Sequence, residues 1–203
     1  GLSKRLGTLS LRDLRAAGVA KEALLSLMAR LGSSQPVELR MTLDEIADGF
    51  DLSQFGAAPT KFDAEDLWPL TRERNQHLPF AAVQDRIAAL GVPADMAERF
   101  WAVASKNITR LDDLGHWWAL CRDGAEPLIA DEDREFVAQA MALLPPRPFT
   151  DRTWADWTSA VKDATGRKGK ALFMPLRLAL TGEPSGPEMA ELMPLLQKVR
   201  GPH

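Results

Sequence analysis

Two stretches of this sequence carry side chains suited to meeting an anion. One is Gly166 to Gly182, GRKGKALFMPLRLALTG, where Arg167, Lys168 and Lys170 sit among glycines and Arg177 interrupts an apolar run. A basic turn of this kind attracts negative charge. An arginine on a rigid apolar support loses little conformational entropy when it binds, so it selects a ligand by shape. The other stretch is Leu2-Ser3-Lys4-Arg5, a short basic turn of the kind that neutralises phosphate charge in a transition state.

The remaining chemical inventory is thin. His77, His116 and His203 are isolated, with no second ligand at metal-site spacing and no acid placed to orient them. Cys121 has no evident base partner, and there is no glycine-rich phosphate loop or nucleophile elbow. Adjacent carboxylates such as Asp112 and Asp113 point apart on a helix. The chain is therefore expected to hold no complete active site and no metal. A net charge of -3 argues against indiscriminate nucleic-acid binding but leaves room for a local basic face. One cysteine excludes an internal disulfide framework, and no apolar run approaches the roughly 20 residues of a membrane span. These features predict a soluble, cytoplasmic protein.

The elements that must position these residues read as helices. Leu24, Leu27, Met28 and Leu31 predict a helix with one buried face, stopping at Gly32. Thr42 and Glu45 have capping-box spacing, and Gly49 offers a left-handed stop. Asp63 opens a helix with Leu67 and Leu70, which Pro69 should shorten or kink. Val83, Ile87 and Leu90 form the next face up to Gly91. Pro93 starts a helix carrying Met96, Phe100 and Val103, with Asn107 as a left-handed end. Thr109 with Asp112 marks the start of a helix bearing Leu114, Trp117 and Trp118.

The acidic segment Asp131 to Glu135 leads a helix with Phe136, Val137 and Ala140, its charge placed where the helix dipole favours it. Pro145, Pro146 and Pro148 form an internal boundary, and Trp154, Trp157 and Val161 mark a helix ending at Gly166, both tryptophans at core spacing. Leu172, Phe173, Leu176, Leu178 and Leu180 are expected to be buried. A last helix from Pro187 carries Leu192, Leu195, Leu196 and Val199. No strand alternation or fixed repeat is visible. The expected architecture is all-α, with about ten short helices in two or three packed groups.

Taken in order, LSKR, LGTLSLRDLRAAG, PTKFDAEDLWPL and GKALFMPLRLALTG resemble bacterial glutamyl-tRNA synthetases across essentially the whole chain. The resemblance implies a C-terminal fragment: a signature loop and stem-contact fold over 1–78, then α-helical anticodon-binding subdomains over 79–122 and 123–203. It implies a ligase whose nucleotide-binding domain lies elsewhere in the polypeptide. Ser3, Lys4 and Arg5 would belong to a loop that helps hold ATP, with magnesium, when that domain is present. The fragment alone is expected to bind no cofactor and to aminoacylate nothing. The implied partners are the missing catalytic domain and the glutamate tRNA, with the chain acting as a monomer.

Carried over residue by residue, the resemblance gives Arg177 a contact to the first part of the anticodon, with Gly186, Pro187 and Met189 packing on the same nucleotide. The position that reads the third anticodon base falls on Asn107 or its neighbour Lys106. Asparagine both donates and accepts, so it need not reject guanine, and the glutamine tRNA becomes a second expected ligand. Lys61, Arg72 and Arg74, with Arg167, Lys168 and Lys170, are candidate contacts to the tRNA backbone. The alternative is a helical interaction module whose basic turn binds an acidic protein.

Overall fold

The computed structural model describes residues 10–57 and 61–201. Ser3, Lys4 and Arg5 lie outside the described residues. The fold is all-α: among the described residues no strand forms, and the β-bridge between Ser33 and Phe55 is isolated. Two compact units are present. One holds the described residues up to Ala82 together with Ile108–Asp113; the other holds Val83–Asn107 and the chain from Leu114 onward.

The first unit is built from α1 (Leu11–Ala16), α2 (Lys21–Arg30), α3 (Leu43–Asp48) and α4 (Leu67–Gln76). Leu14, Ala20, Ala23, Leu27, Leu67 and Leu70 form its core. The Thr42–Glu45 capping box forms as its spacing predicts, with Glu45 N–H on Thr42 Oγ1 at 3.2 Å and Thr42 N–H on the Glu45 carboxylate at 3.3 Å. Pro69 falls in the first turn of α4, where its missing N–H costs no intrahelical bond, and the helix runs on to Gln76. Asn75 is buried and donates to the Thr109 carbonyl at 2.7 Å, which ties the 108–113 segment to α4.

Two expectations in this unit need correction. The buried face of α2 is Ala23, Ser26, Leu27 and Arg30, while Met28 is 54% exposed. Small residues let α2 approach α4 closely, and this rotation turns Met28 outward. Gly49 is right-handed, with φ of −88°. Its lack of a side chain instead makes room for the Arg30 guanidinium, which a Cβ at Gly49 would strike.

The second unit contains α5 (Phe80–Ala89), which begins at its boundary, then α6 (Ala94–Ala104), α7 (Leu114–Asp123), α8 (Arg134–Ala142), α9 (Thr153–Thr165), α10 (Lys170–Thr181) and α11 (Met189–Leu192). Helices α8, α9 and α10 pack on one another, and α11 packs on α9. Phe100, Trp157, Leu172, Leu176, Leu192 and Leu195 are fully buried in this unit. Trp157 satisfies its indole N–H on the Ala140 carbonyl at 2.7 Å. Gly166 closes α9 in the left-handed conformation, as expected, with φ of 73°.

Pro175 lies inside α10 and cannot donate to the carbonyl of Ala171, four residues back. The Arg167 guanidinium supplies that bond instead, at 3.2 Å from the Ala171 oxygen. Arg167 also pairs with Asp133 at 2.6 Å and lies 4.0 Å from the Phe136 ring centre. The proline is thereby accommodated without ending the helix.

Four local readings change in or beside this unit. Asn107 ends a 3-10 turn, Ser105–Asn107, and among the described residues only glycines have positive φ. Ahead of α7 the Asp113 carboxylate accepts the N–H groups of Thr109 and Arg110, both at 2.9 Å, which the Thr109–Asp112 spacing did not indicate. Phe173 is 45% exposed, because it stands on the side of α10 away from the core. The last helix is far shorter than its apolar spacing suggested: α11 has four residues and passes into a 3-10 turn, Met193–Leu195. Pro194 cannot donate to Ala190, so the α-helical ladder stops there.

Candidate nucleic-acid interface

Arg177 projects from the middle of α10, and its position is set by the loop that follows that helix. Its Nη2 donates to the Pro187 carbonyl at 3.0 Å, while Nη1 is buried and has no hydrogen-bond acceptor. Gly186 is the reason the loop comes so near. Its φ is 153°, and a Cβ there would lie 2.7 Å from the Trp117 ring and 3.6 Å from Arg177 Nη1. Pro187 and Met189 are buried beside it.

A pocket of about 210 Å³ opens here, lined by Trp154, Phe173, Met174, Arg177, Glu188 and Met189. Trp154 and Phe173 lie with ring centres 6.2 Å apart, one on α9 and one on α10. Aromatic faces, an adaptable thioether, a guanidinium and a carboxylate make up a wall that can stack and hydrogen-bond a planar heterocycle. Buried nitrogens without acceptors also occur at Arg30 and Trp118. The unpaired Arg177 nitrogen gains meaning only from this pocket beside it.

Arg177, Gly186, Pro187 and Met189 are thus brought together. By sequence, Trp154 and Phe173 are placed in the core and Met174 and Glu188 are given no role. Phe173, Met174 and Arg177 are spaced four and three residues apart on one helix face, which is the signal that was available.

Lys106 is exposed and pairs with Glu191 of α11 at 3.2 Å. Asn107 is half-buried, and its carbonyl accepts the Trp117 indole N–H at 3.2 Å. Lys168 and Lys170 are exposed at the start of α10, whereas Arg167 is held by Asp133, Phe136 and Ala171. In the first unit Lys61 and Arg72 are exposed. Arg74 is partly buried: its Nη1 donates to Asn75 at 3.0 Å, and its Nε lies 3.1 Å from Glu22 without the directional geometry of a hydrogen bond.

An acid does stand beside one histidine. His116 Nε2 pairs with the Glu183 carboxylate, and its ring meets Trp117 edge-on at 4.9 Å. Cys121 is fully buried, and desolvation pushes its thiol up to about 12. Among the described residues no group of three or more His, Cys, Asp or Glu side chains is arranged to hold a metal ion.

Residues 64–200 match the family described as the anticodon binding domain, and the chain belongs to that family. Its relatives are glutamate–tRNA ligases. The chain is 72% identical over 199 residues to glutamate–tRNA ligase 1 of Paracoccus denitrificans, an alignment that covers 98% of this chain and 45% of the relative. Identity to glutamate–tRNA ligase 2 of Cereibacter sphaeroides ATH 2.4.9 is 69% over 199 residues, with the same coverage of 98% and 45%. The fold is similar to a crystal structure of a glutamate tRNA ligase from Elizabethkingia meningosepticum, with a TM-score of 0.67 and 20% identity over 90% of this chain and 39% of that one. The chain therefore spans less than half the length of these relatives.

Proposed function

We propose that this chain is the tRNA-recognising part of a glutamate–tRNA ligase and reads the anticodon of glutamate tRNA. The observation that carries the reading is the Arg177 pocket, which joins a fixed guanidinium to two aromatic faces and Met189. Single-stranded anticodon bases are unstacked easily and are recognised by stacking together with hydrogen bonds to their edges. Trp154 and Phe173 offer the stacking surface. Arg177 donates to a base carbonyl or ring nitrogen, and Glu188 is placed to accept from an exocyclic amine. Cytosine presents that combination on one edge. Lys168 and Lys170, with Lys61 and Arg72 in the other unit, attract phosphates and set register without reading sequence.

Asn107 or Lys106 reads the third anticodon base in the same proposal, and a neutral asparagine admits the glutamine tRNA as well. ATP and magnesium act in the rest of the polypeptide, where glutamate is activated. This chain alone binds tRNA as a cytoplasmic monomer without turning over ATP. The family match gives no support to a module for an acidic protein partner.

The test is a titration of the chain with glutamate tRNA, with the same tRNA changed from C to G at the third anticodon base, and with Arg177→Ala alongside. Arg177→Ala should lose about 1–3 kcal/mol of binding, and affinity should fall steeply with added salt. Unchanged affinity on removing Arg177 would defeat the role given to it. Affinity independent of salt would defeat the phosphate contacts. Equal binding of the C and G forms is the result expected for a permissive Asn107.

A further inference from the structure

Two elements proposed to read different anticodon bases meet on one side chain. The 105–107 turn carries Lys106 and Asn107, and the 182–188 loop carries Gly186 and Pro187 and fixes Arg177. Trp117, on α7 between them, donates its indole N–H to the Asn107 carbonyl at 3.2 Å. The far edge of the same ring occupies the space that a side chain at Gly186 would need: a Cβ there would stand 2.7 Å from Cη2 and 3.2 Å from Cζ3. One rigid bicyclic ring thus touches both elements at opposite ends and is only 6% exposed.

From this we infer that Trp117 is a positioning residue that couples the two base-reading elements, so that occupation of one sets the geometry of the other. The inference rests on the anticodon reading above. An indole has two side-chain torsions and no internal flexibility, so a shift of the Asn107 carbonyl that keeps the 3.2 Å bond must move the ring edge against Gly186. Gly186 has no side chain to yield, and the residue after it holds Arg177 through its carbonyl at 3.0 Å. Two further contacts run alongside. His116, next to Trp117, pairs with Glu183 at the start of the loop, and Lys106 pairs with Glu191 just beyond it. Both contacts reach solvent through their side chains and hold less firmly than a buried ring. The buried link is Trp117.

The experiment has two readouts on the whole chain. Hydrogen exchange without RNA reads the bridge itself. Trp117→Phe, which removes both the N–H and the outer edge of the ring, should raise exchange in 105–107 and in 182–188 together. Gly186→Ala should raise exchange in the distant 105–107 turn, and should no longer do so when combined with Trp117→Phe. Loosening of only one segment, or an effect of Gly186→Ala confined to its own loop, overturns the bridge.

The second readout is a double-mutant cycle of Asn107→Ala and Arg177→Ala on binding of the glutamate tRNA anticodon stem-loop. Their combined loss should depart from the product of the single losses by roughly two- to thirtyfold, and W117F should abolish the departure. Losses that multiply independently in the unsubstituted chain overturn the coupling and leave the anticodon reading intact. A chain that binds no stem-loop at all overturns the anticodon reading, and the coupling with it.

Discussion

Arg177 donates from Nη2 to the carbonyl of Pro187 at 3.0 Å, which ties the middle of α10 to the loop that enters α11. The acceptor is neutral, so the arginine is oriented without its charge being cancelled. Its fork geometry is therefore set before any ligand arrives.

This arrangement separates charge from shape. Arg177→Lys keeps the cation but cannot hold the Pro187 carbonyl and address a base edge at the same time. The lysine variant should show nearly the unsubstituted salt slope in tRNA titrations, yet lose about 1–3 kcal/mol of preference for the correct first anticodon base. Retention of full preference would mean that the planar fork is irrelevant.

Arg167 is a structural cation. Arg167→Met removes the pair with Asp133, the stacking on Phe136 and the bond that covers the Ala171 oxygen. A loss of about 1–3 kcal/mol in urea denaturation is expected. In a Pro175→Ala background the restored backbone N–H satisfies Ala171, so the cost of Arg167→Met should shrink. Equal costs in both backgrounds would refute the link between Arg167 and the proline.

The left-handed glycines at 166 and 182 should respond differently to alanine. Gly166 has φ of 73°, and a Cβ added there would meet nothing within 4 Å, so only the backbone strain of about 1–2 kcal/mol applies. At Gly182, with φ of 69°, the Cβ would lie 2.6 Å from the Glu126 carbonyl oxygen. Gly182→Ala should therefore lower the melting temperature clearly more than Gly166→Ala. Equal shifts would show that the 126 segment moves aside freely.

Cys121 makes the fold alkali-sensitive. Burial raises its thiol from the ordinary 9.0 to about 12, so between those values the folded state keeps a proton that the unfolded state loses. This contribution to stability is intact below pH 9 and falls by up to about 1.4 kcal/mol per pH unit as pH rises towards 12. Denaturation curves of Cys121→Ala should lack that component. At neutral pH a thiol reagent should label Cys121 only as fast as the protein opens; rapid labelling of the native chain would contradict its burial.

Much of the fold was legible because its signals are local. The Thr42–Glu45 box and the Gly166 stop each lie within one helical turn of the residues they organise. The composition of the pocket was not. Trp154 and Phe173 sit on different helices, and each alone has the spacing of a core residue. The same limit hid Glu183 beside His116, and hid Asp133 and Phe136 around Arg167, since a sequence displays a charge without its distant partner. The last helix was overextended because apolar spacing continues through Pro194, whereas the backbone ladder does not.

The contrast between Pro175 and Pro194 also bears on the order in which substitutions can accumulate. One proline lies within a long helix because a guanidinium covers the oxygen it strands; the other coincides with a helix end. A lineage that replaced Pro175 first would restore a backbone donor for Ala171, after which Arg167 would be freer to drift. The reverse order leaves the Ala171 carbonyl, which lies at the exposed surface, to water at the first step. The two orders thus differ in what replaces the guanidinium, a backbone N–H or solvent.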